Sequence, residues 1–264
     1  MDFLEIERRK MTTKFDMSEP HSHDYYELYF LLEGKREFFA RDKTFLLPSG
    51  SFCVVPPFCL HKTEGGAYER VNVNISETLL KKEEIRFLNE CAKVGALRLD
   101  EAYRPLLVSL LREGVTVRAT KGSLRRDYEA SIARTVLYLL QKQVLTPIST
   151  AAALPALAAA DPVVWKTVFY INEHYRETIT LDLLSAKCFL SKVALCARFK
   201  KVMHCSIMQY LFQIRLSKAK ELLSSTEKSM EEIACDCGFS SANYFSLVFK
   251  KEVGLSPLYY KKTR

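Results

Sequence analysis

Ser229-Met230-Glu231-Glu232-Ile233-Ala234-Cys235-Asp236-Cys237-Gly238-Phe239-Ser240-Ser241-Ala242-Asn243-Tyr244-Phe245-Ser246-Leu247-Val248-Phe249-Lys250-Lys251-Glu252-Val253-Gly254-Leu255-Ser256-Pro257 is the stretch whose reading decides the fold. It opens on a hydroxyl with a Glu three residues on, a pair that can satisfy each other's free backbone N–H groups at a helix start. Cys237-Gly238-Phe239-Ser240 stops that helix, because Gly238 can take the positive φ of a tight helix–helix turn. Ser240 or Ser241 then caps a second helix, with Tyr244, Phe245, Val248 and Phe249 expected inward. Ala234 is small where the two helices must approach. Ser241, Ala242, Asn243, Ser246 and Leu247 are left largely outward. Gly254 serves as a C-cap, and Ser256-Pro257 supplies an N-cap and a first-turn proline for a last short helix.

Working toward the N-terminus, the same pattern returns about 50 residues earlier. Phe199-Lys200-Lys201 matches Phe249-Lys250-Lys251, and Tyr210 matches Tyr260; upstream, Ser185 and Ser191 match Ala234 and Ser240. In this first copy Thr180 and Ser191 are the caps. Leu181, Leu184, Cys188, Leu195, Phe199 and Val202 pack inward, and Lys192, Val193, Ala194, Cys196, Ala197 and Lys200 face out. One long helix, Met208 to Ser224, lies between the copies. A period near 50 with helices in each copy means two similar helical units.

Charge is concentrated in the same place. Residues 162–264 hold 16 Lys+Arg against 9 Asp+Glu, while residues 1–161 hold 23 against 22. A basic segment beside a neutral one is the electrostatic footprint of a polyanion binder. A helix entering the major groove needs short side chains near its start, and both outward faces have them. Asn243 suits adenine, Val193 and Ala194 suit thymine methyls, and Lys200 and Lys250 suit phosphates. Taken singly, each of these features also fits an ordinary amphipathic helix with a solvated edge.

The run from Ser229 to Lys261, through Ile233-Ala234, Gly238-Phe239, Tyr244-Phe245, Phe249-Lys250-Lys251, Gly254, Ser256-Pro257 and Tyr260, resembles the AraC/XylS family of transcription regulators. The resemblance covers roughly residues 163–264. It implies two helix-turn-helix units that put recognition helices into successive major grooves of one DNA face, about 34 Å apart. Arg215 and Ala219 also sit as in that family's linking helix. The chain departs from the pattern at Ser185, where Ala is usual, and at Phe189 and His204, where Gly is common. It also has Ala197 and Leu247 where the family often has Arg, so apolar, shape-based and phosphate contacts are expected more than direct guanine readout.

Residues 1 to about 75 read as short strands: Tyr26 to Leu32, stopped by Glu33-Gly34, then Arg36 to Ala40, Thr44 to Leu47, Ser51 to Val55 and Val71 to Ile75. Such spacing with Gly and Pro breaks suggests a small barrel or sandwich. His21-Ser22-His23 with Glu27, followed by Gly50, Pro56 and His61, resembles the two motifs of the cupin barrel, which opens many AraC-type sensor halves. In metal-binding cupins this donor set coordinates a divalent ion, and the residue types permit it here. Use of the same groups for a polar ligand or for structure is the reading adopted, with no metal and no cofactor assigned. Tyr29, on the same strand face as Glu27, joins His21, His23, Glu27 and His61 as effector-binding candidates.

The expected fold class is multi-domain α and β: a cupin-like barrel over 1–80, a helical dimerisation segment over 81–146, a linker over 147–162 and an all-α double helix-turn-helix domain over 163–264. Within the helical segment, Ile132, Val136, Leu139 and Leu140 fall at helical spacing; by resemblance it gives a dimer contact, while packing on the chain's own barrel is an equal alternative. The charged N-terminus is not a secretory signal, and no tract approaches the roughly 18 apolar residues of a membrane span. The expected compartment is the cytoplasm, which fits eight cysteines without a Cys-x-x-Cys pair, read as reduced thiols filling apolar gaps or as redox sensors. The expected partners are double-stranded promoter DNA, a small-molecule effector, a second copy of the chain and RNA polymerase. Two rivals stand beside this reading: a metal-dependent cupin enzyme with an appended DNA-binding module, and a regulator that senses a protein partner.

Overall fold

The computed structural model describes residues 3–17, 19–40, 43–117, 124–143, 146–147 and 161–262. The expected linker over 147–162 lies mostly outside the described residues. Among the described residues, eight strands form the N-terminal half: β1 (Leu4–Met11), β2 (Tyr26–Ala40), β3 (Lys43–Pro48), β4 (Ser51–Val55), β5 (His61–Glu64), β6 (Tyr68–Ile75), β7 (Leu97–Arg98) and β8 (Thr146–Pro147). Every pairing between them is antiparallel.

Strand β2 organises the barrel. Its first half pairs with β4 and β6, its second with β3 and β5. The sequence suggests a stop at Glu33-Gly34, but the strand runs through it. The register shifts between Leu31 and Glu33, and Gly34 takes a φ of +88° where a Cβ would sit 2.3 Å from the Ala67 carbonyl oxygen. The glycine therefore bends one long strand from one sheet into the other instead of ending it. Strands β1 and β5, absent from the sequence expectation, complete the two edges.

The period of two then sorts side chains. Tyr26, Leu28, Phe30, Phe52, Val54, Val71, Val73, Ile75 and Ile6 lie on the outer face of one sheet. Helices α1 (Lys82–Val94), α2 (Arg104–Val117) and α3 (Leu124–Lys142) cover that face with Leu88, Leu107, Leu111, Ile132, Ala133, Val136 and Leu140. The inward sides of these helices are thus committed to the chain's own barrel. The opposite sheet face lines the interior, with Tyr29, Leu31, Phe38, Phe45, Leu47, Cys53, Val55 and Tyr68.

The C-terminal half is helical: α4 (Pro162–His174), α5 (Leu181–Cys188), α6 (Lys192–Met203), α7 (Ile207–Ser225), α8 (Met230–Asp236), α9 (Ala242–Val253) and α10 (Pro257–Lys262). The capping chemistry read from the sequence is in place. Thr180, Ser191, Ser229 and Ser241 each accept a backbone N–H of the first turn, and Ser229 and Glu232 form the reciprocal box. The counterpart of Ser191 as N-cap is Ser241, not Ser240, so the second turn is one residue longer than the first. Helix α7 contributes Ile207, Tyr210, Leu211 and Ile214 to one core and Leu216, Ala219 and Leu223 to the next. Arg215 on the same helix donates from Nε to the Tyr175 carbonyl at 2.8 Å and from Nη2 to that of Glu177 at 2.7 Å, fastening the loop after α4.

The two turns differ in one residue with large consequences. Phe189 and Gly238 occupy the same place in the two copies, and both are left-handed, at φ +53° and +77°. A Cβ on Gly238 would meet the Tyr175 and Arg176 carbonyl oxygens at 2.7 and 2.8 Å, whereas Phe189 is 90% exposed. Opposite substitutions should therefore have opposite signs. Phe189→Gly relieves a left-handed strain of about 1 kcal/mol and is expected to raise the urea midpoint, whereas Gly238→Ala is expected to lower stability by about 2 kcal/mol. Equilibrium unfolding followed by circular dichroism measures both.

Candidate nucleic-acid interface and barrel interior

The second helix of each unit presents a free face. On α6, Lys192, Val193, Ala197 and Lys200 are exposed and Ala194 and Cys196 half-buried; on α9, Asn243, Leu247 and Lys250 are exposed and Ala242 and Ser246 half-buried, with the cap Ser241 exposed beside them. Val193 and Leu247 stand out at 80% and 68% exposure, unusual for apolar side chains on well-packed helices. The packing residues Leu195, Phe199, Phe245 and Phe249 are fully buried beneath them. Tyr244, expected inward, is half exposed instead. It lies one residue before buried Phe245, and the helical period turns it toward the mouth of the second unit.

That mouth is a hollow of about 660 Å³ lined in part by Arg176, Arg215, Ser240, Ser241 and Tyr244. The sequence reading did not single out Arg176, and the only signal was a cation in a loop of the basic half. Lys192 is tied to Asp182 at 2.8 Å, so of the candidate lysines Lys200 and Lys250 are the ones without an ion pair to the chain among the described residues.

The barrel docks on the first unit at the far end of its recognition helix. Lys62 Nζ donates to the Val202 carbonyl at 3.0 Å and pairs with Glu64. Glu64 also meets His204 at 3.3 Å. Phe39 packs on Trp165 and Tyr210, Leu60 joins the same core, and Ser217 donates to the Phe58 carbonyl. His204 is left-handed at φ +60° where the second copy has Gly254. These contacts leave the outward faces of α6 and α9 uncovered.

The effector candidates His21, His23, Glu27 and His61 converge at one end of the barrel. Glu27 is buried between His23, whose Nε2 lies 3.0 Å away, and His61, whose Nε2 lies 3.3 Å away. Its other oxygen accepts from Asn72 Nδ2. Burial pushes the Glu27 carboxyl up, but the hydrogen bonds from His23 and His61 outweigh it and hold it well below its ordinary 4.5. Donor atoms of His23, Glu27 and His61 lie within 4.8 Å of one another, a spacing that a metal ion could bridge. His21 joins them at the rim, its ring centroid 4.3 Å from that of His61 and its backbone paired with that of the same residue. Tyr29 follows two residues after Glu27 on the same face, buried, its hydroxyl without a partner. Of the eight cysteines, Cys53, Cys59, Cys91, Cys205 and Cys237 are buried. Burial pushes the Cys91 and Cys237 thiols up to about 12, which keeps them protonated and unreactive.

Two family descriptions match this chain: an AraC-like ligand-binding domain over residues 6–81 and a helix-turn-helix domain over residues 184–263. The chain belongs to the AraC family of transcriptional regulators. Over 242 residues it is 26% identical to the probable transcriptional regulator LumQ of Photobacterium leiognathi, covering 91% of each protein. It is 24% identical to the transcriptional activator RhaS of Escherichia fergusonii over 249 residues, 90% of this chain and 85% of that one. The match to the helix-turn-helix regulator YdiP of Escherichia coli is stronger, 36%, but spans 39% of this chain and only 34% of YdiP. Among solved structures, the C-terminal domain of the response regulator AraT from Geobacillus stearothermophilus is 37% identical over 39% of this chain and 87% of its own, with a TM-score of 0.39. No described helix of this AraC-family chain is long and apolar enough to cross a membrane.

The buried carboxylate has a pH signature. Because the folded pKa of Glu27 lies below its unfolded value of 4.5, it stabilises the fold above about pH 4.5, and that contribution is lost as pH falls through the folded pKa. The melting temperature is expected to drop more steeply below pH 4.5 in the native chain than in Glu27→Gln. Parallel melting curves between pH 6 and 3.5 would show it.

Proposed function

We propose that this chain is a sequence-specific, DNA-binding regulator whose barrel receives a small-molecule effector and passes that event to the first helix-turn-helix unit through β5. The observation that carries the reading is the two-sidedness of one four-residue strand. His61 and Thr63 point inward, to Glu27 and to the Arg36 guanidinium. Lys62 and Glu64 point outward, to Val202 and His204 at the end of α6. Neighbouring β2 does the same with Phe38 inside and Phe39 against Trp165. A ligand that shifts the inner residues shifts the hold on the recognition helix, which is the differential contact that coupling between two sites requires.

DNA contacts are assigned to Lys192, Val193, Ala194, Cys196, Ala197 and Lys200 on one unit and Ser241, Ala242, Asn243, Ser246, Leu247 and Lys250 on the other. Effector contacts are assigned to His21, His23, Glu27, Tyr29 and His61. No metal is assigned. A homodimer through the outward sides of α2 and α3, where Leu106, Tyr128 and Tyr138 are exposed, a contact with RNA polymerase, and residence in the cytoplasm complete the reading.

Mapping protected DNA genome-wide supplies a fragment for titration. Affinity for it is expected to fall linearly with salt on a double-logarithmic plot, and Lys200→Gln or Lys250→Gln to reduce the slope by about 1 each. A salt-independent affinity would end the DNA-binding reading. Lys62→Met, remote from the DNA face, is expected to alter affinity for the same fragment several-fold through the docked unit; if neither affinity nor inducibility changed, the β5 route would be wrong.

A further inference from the structure

Resting on the reading of the barrel as the effector site, the geometry points to an organic anion as its occupant, with a carboxylate received by Tyr29, Arg36 and Arg70. The alternation of β2 and β6 turns all three side chains into the interior. Arg36 is fully buried. Its Nε donates to Thr63 Oγ1 at 3.1 Å and its Nη1 to the Gly66 carbonyl at 3.3 Å, while Nη2 is buried without any partner. Arg70 gives Nη2 to Glu7 at 2.9 Å and keeps a buried, unpartnered Nη1. Its guanidinium carbon lies 5.2 Å from the centre of the Tyr29 ring. The Tyr29 hydroxyl faces the Arg36 guanidinium and finds no acceptor, which makes it the third donor with a proton to give.

Three free donors, two of them cationic, are a poor match for an interior otherwise walled by Leu31, Phe38, Phe45, Leu47 and Val55. A buried donor without an acceptor costs free energy, and a buried cation without a counter-charge costs more. Among the described residues no carboxylate lies within ion-pair distance of Arg36, whose ring neighbour is Tyr68 at 4.4 Å. Glu27 does not fill the role, because His23, His61 and Asn72 already hold it. A neutral polyol would satisfy the hydrogen bonds but leave the Arg36 charge uncompensated. A carboxylate supplies both the acceptors and the charge, in the planar geometry that guanidinium groups favour. Phe38 and Tyr68 provide an aromatic wall for the body of a small acid, and the unpartnered Asn72 Oδ1 accepts from a hydroxyl or amine on it.

The test uses the full chain and isosteric pairs that differ in charge: acetate with acetamide, butyrate with butyramide, benzoate with benzamide, at matched ionic strength, with sodium sulfate and a neutral sugar as controls. At least one carboxylate is expected to raise the melting temperature by about 2 °C or more while its amide does not. Calorimetry is expected to show about tenfold weaker binding of that carboxylate to Tyr29→Phe, a substitution that removes one donor and no charge. Arg70→Lys, which keeps the charge, is expected to retain part of the affinity. Amides or the sugar shifting the chain, with that shift lost in Tyr29→Phe, would overturn the anion while leaving the effector site standing. Sulfate matching the carboxylates, with Tyr29→Phe unaffected, would reduce the effect to bulk salt and overturn it. No shift from any probe would overturn the anion and the effector reading together.

Discussion

A β-strand gives each side chain one of two sides, and at Phe38–Phe39 of β2 and along β5 both sides are spoken for. One is the polar interior of the barrel, the other the core of the first helix-turn-helix unit. The residues that meet there have no solvent face into which to relax: Phe38 and Phe39 are each about 1% exposed, and His61 and Lys62 likewise. Close packing on both sides makes the ribbon stiff, since interiors transmit displacement when there is no void to absorb it. The barrel and the reader are for this reason one mechanical object along this seam, even though the chain enters them through separate segments.

The polar groups of the interior are arranged by burial and by whom they can reach. At one end Glu27 is surrounded by donors and is self-contained. At the other, Tyr29, Arg36 and Arg70 retain capacity for one more partner. The two ends belong to the same strand faces, separated by a single pleat between Glu27 and Tyr29, so a group entering at the arginines presses on the same strands that hold His61. Buried polar networks that are only partly satisfied are costly, and the fold keeps this one directly behind its contact with the first recognition helix.

The DNA-binding half was legible because its signals are local. Caps, the turn glycine and the alternation of Leu195, Phe199, Phe245 and Phe249 depend on neighbours within a few residues, and the duplication reads each twice. The expected and observed outward faces differ chiefly at Tyr244, a large aromatic that reads as core although Phe245 and Phe249 already fill it. The barrel was harder. Strands β1 and β5 are short or charged on one side, and Lys62 and Glu64 look like a solvated edge until a partner domain covers them. Arg36 and Arg70 were invisible for the same reason: a cation in a strand is ordinarily at the surface, and only the register shift after Leu31 for Arg36, and the alternation with outer-face Val71 and Val73 for Arg70, show that these point inward. The docking of the barrel on Val202, His204 and Ser217 has no signature in the chain, because it joins residues some 140 apart.

Helix α7 contributes to both helical cores without a break, and Arg215 locks its flank. The two readers are thereby held in phase by a ruler graduated in helical steps. Each residue added or lost within it would swing one reader by about 100° relative to the other and slide it by about 1.5 Å, a change no side chain could absorb.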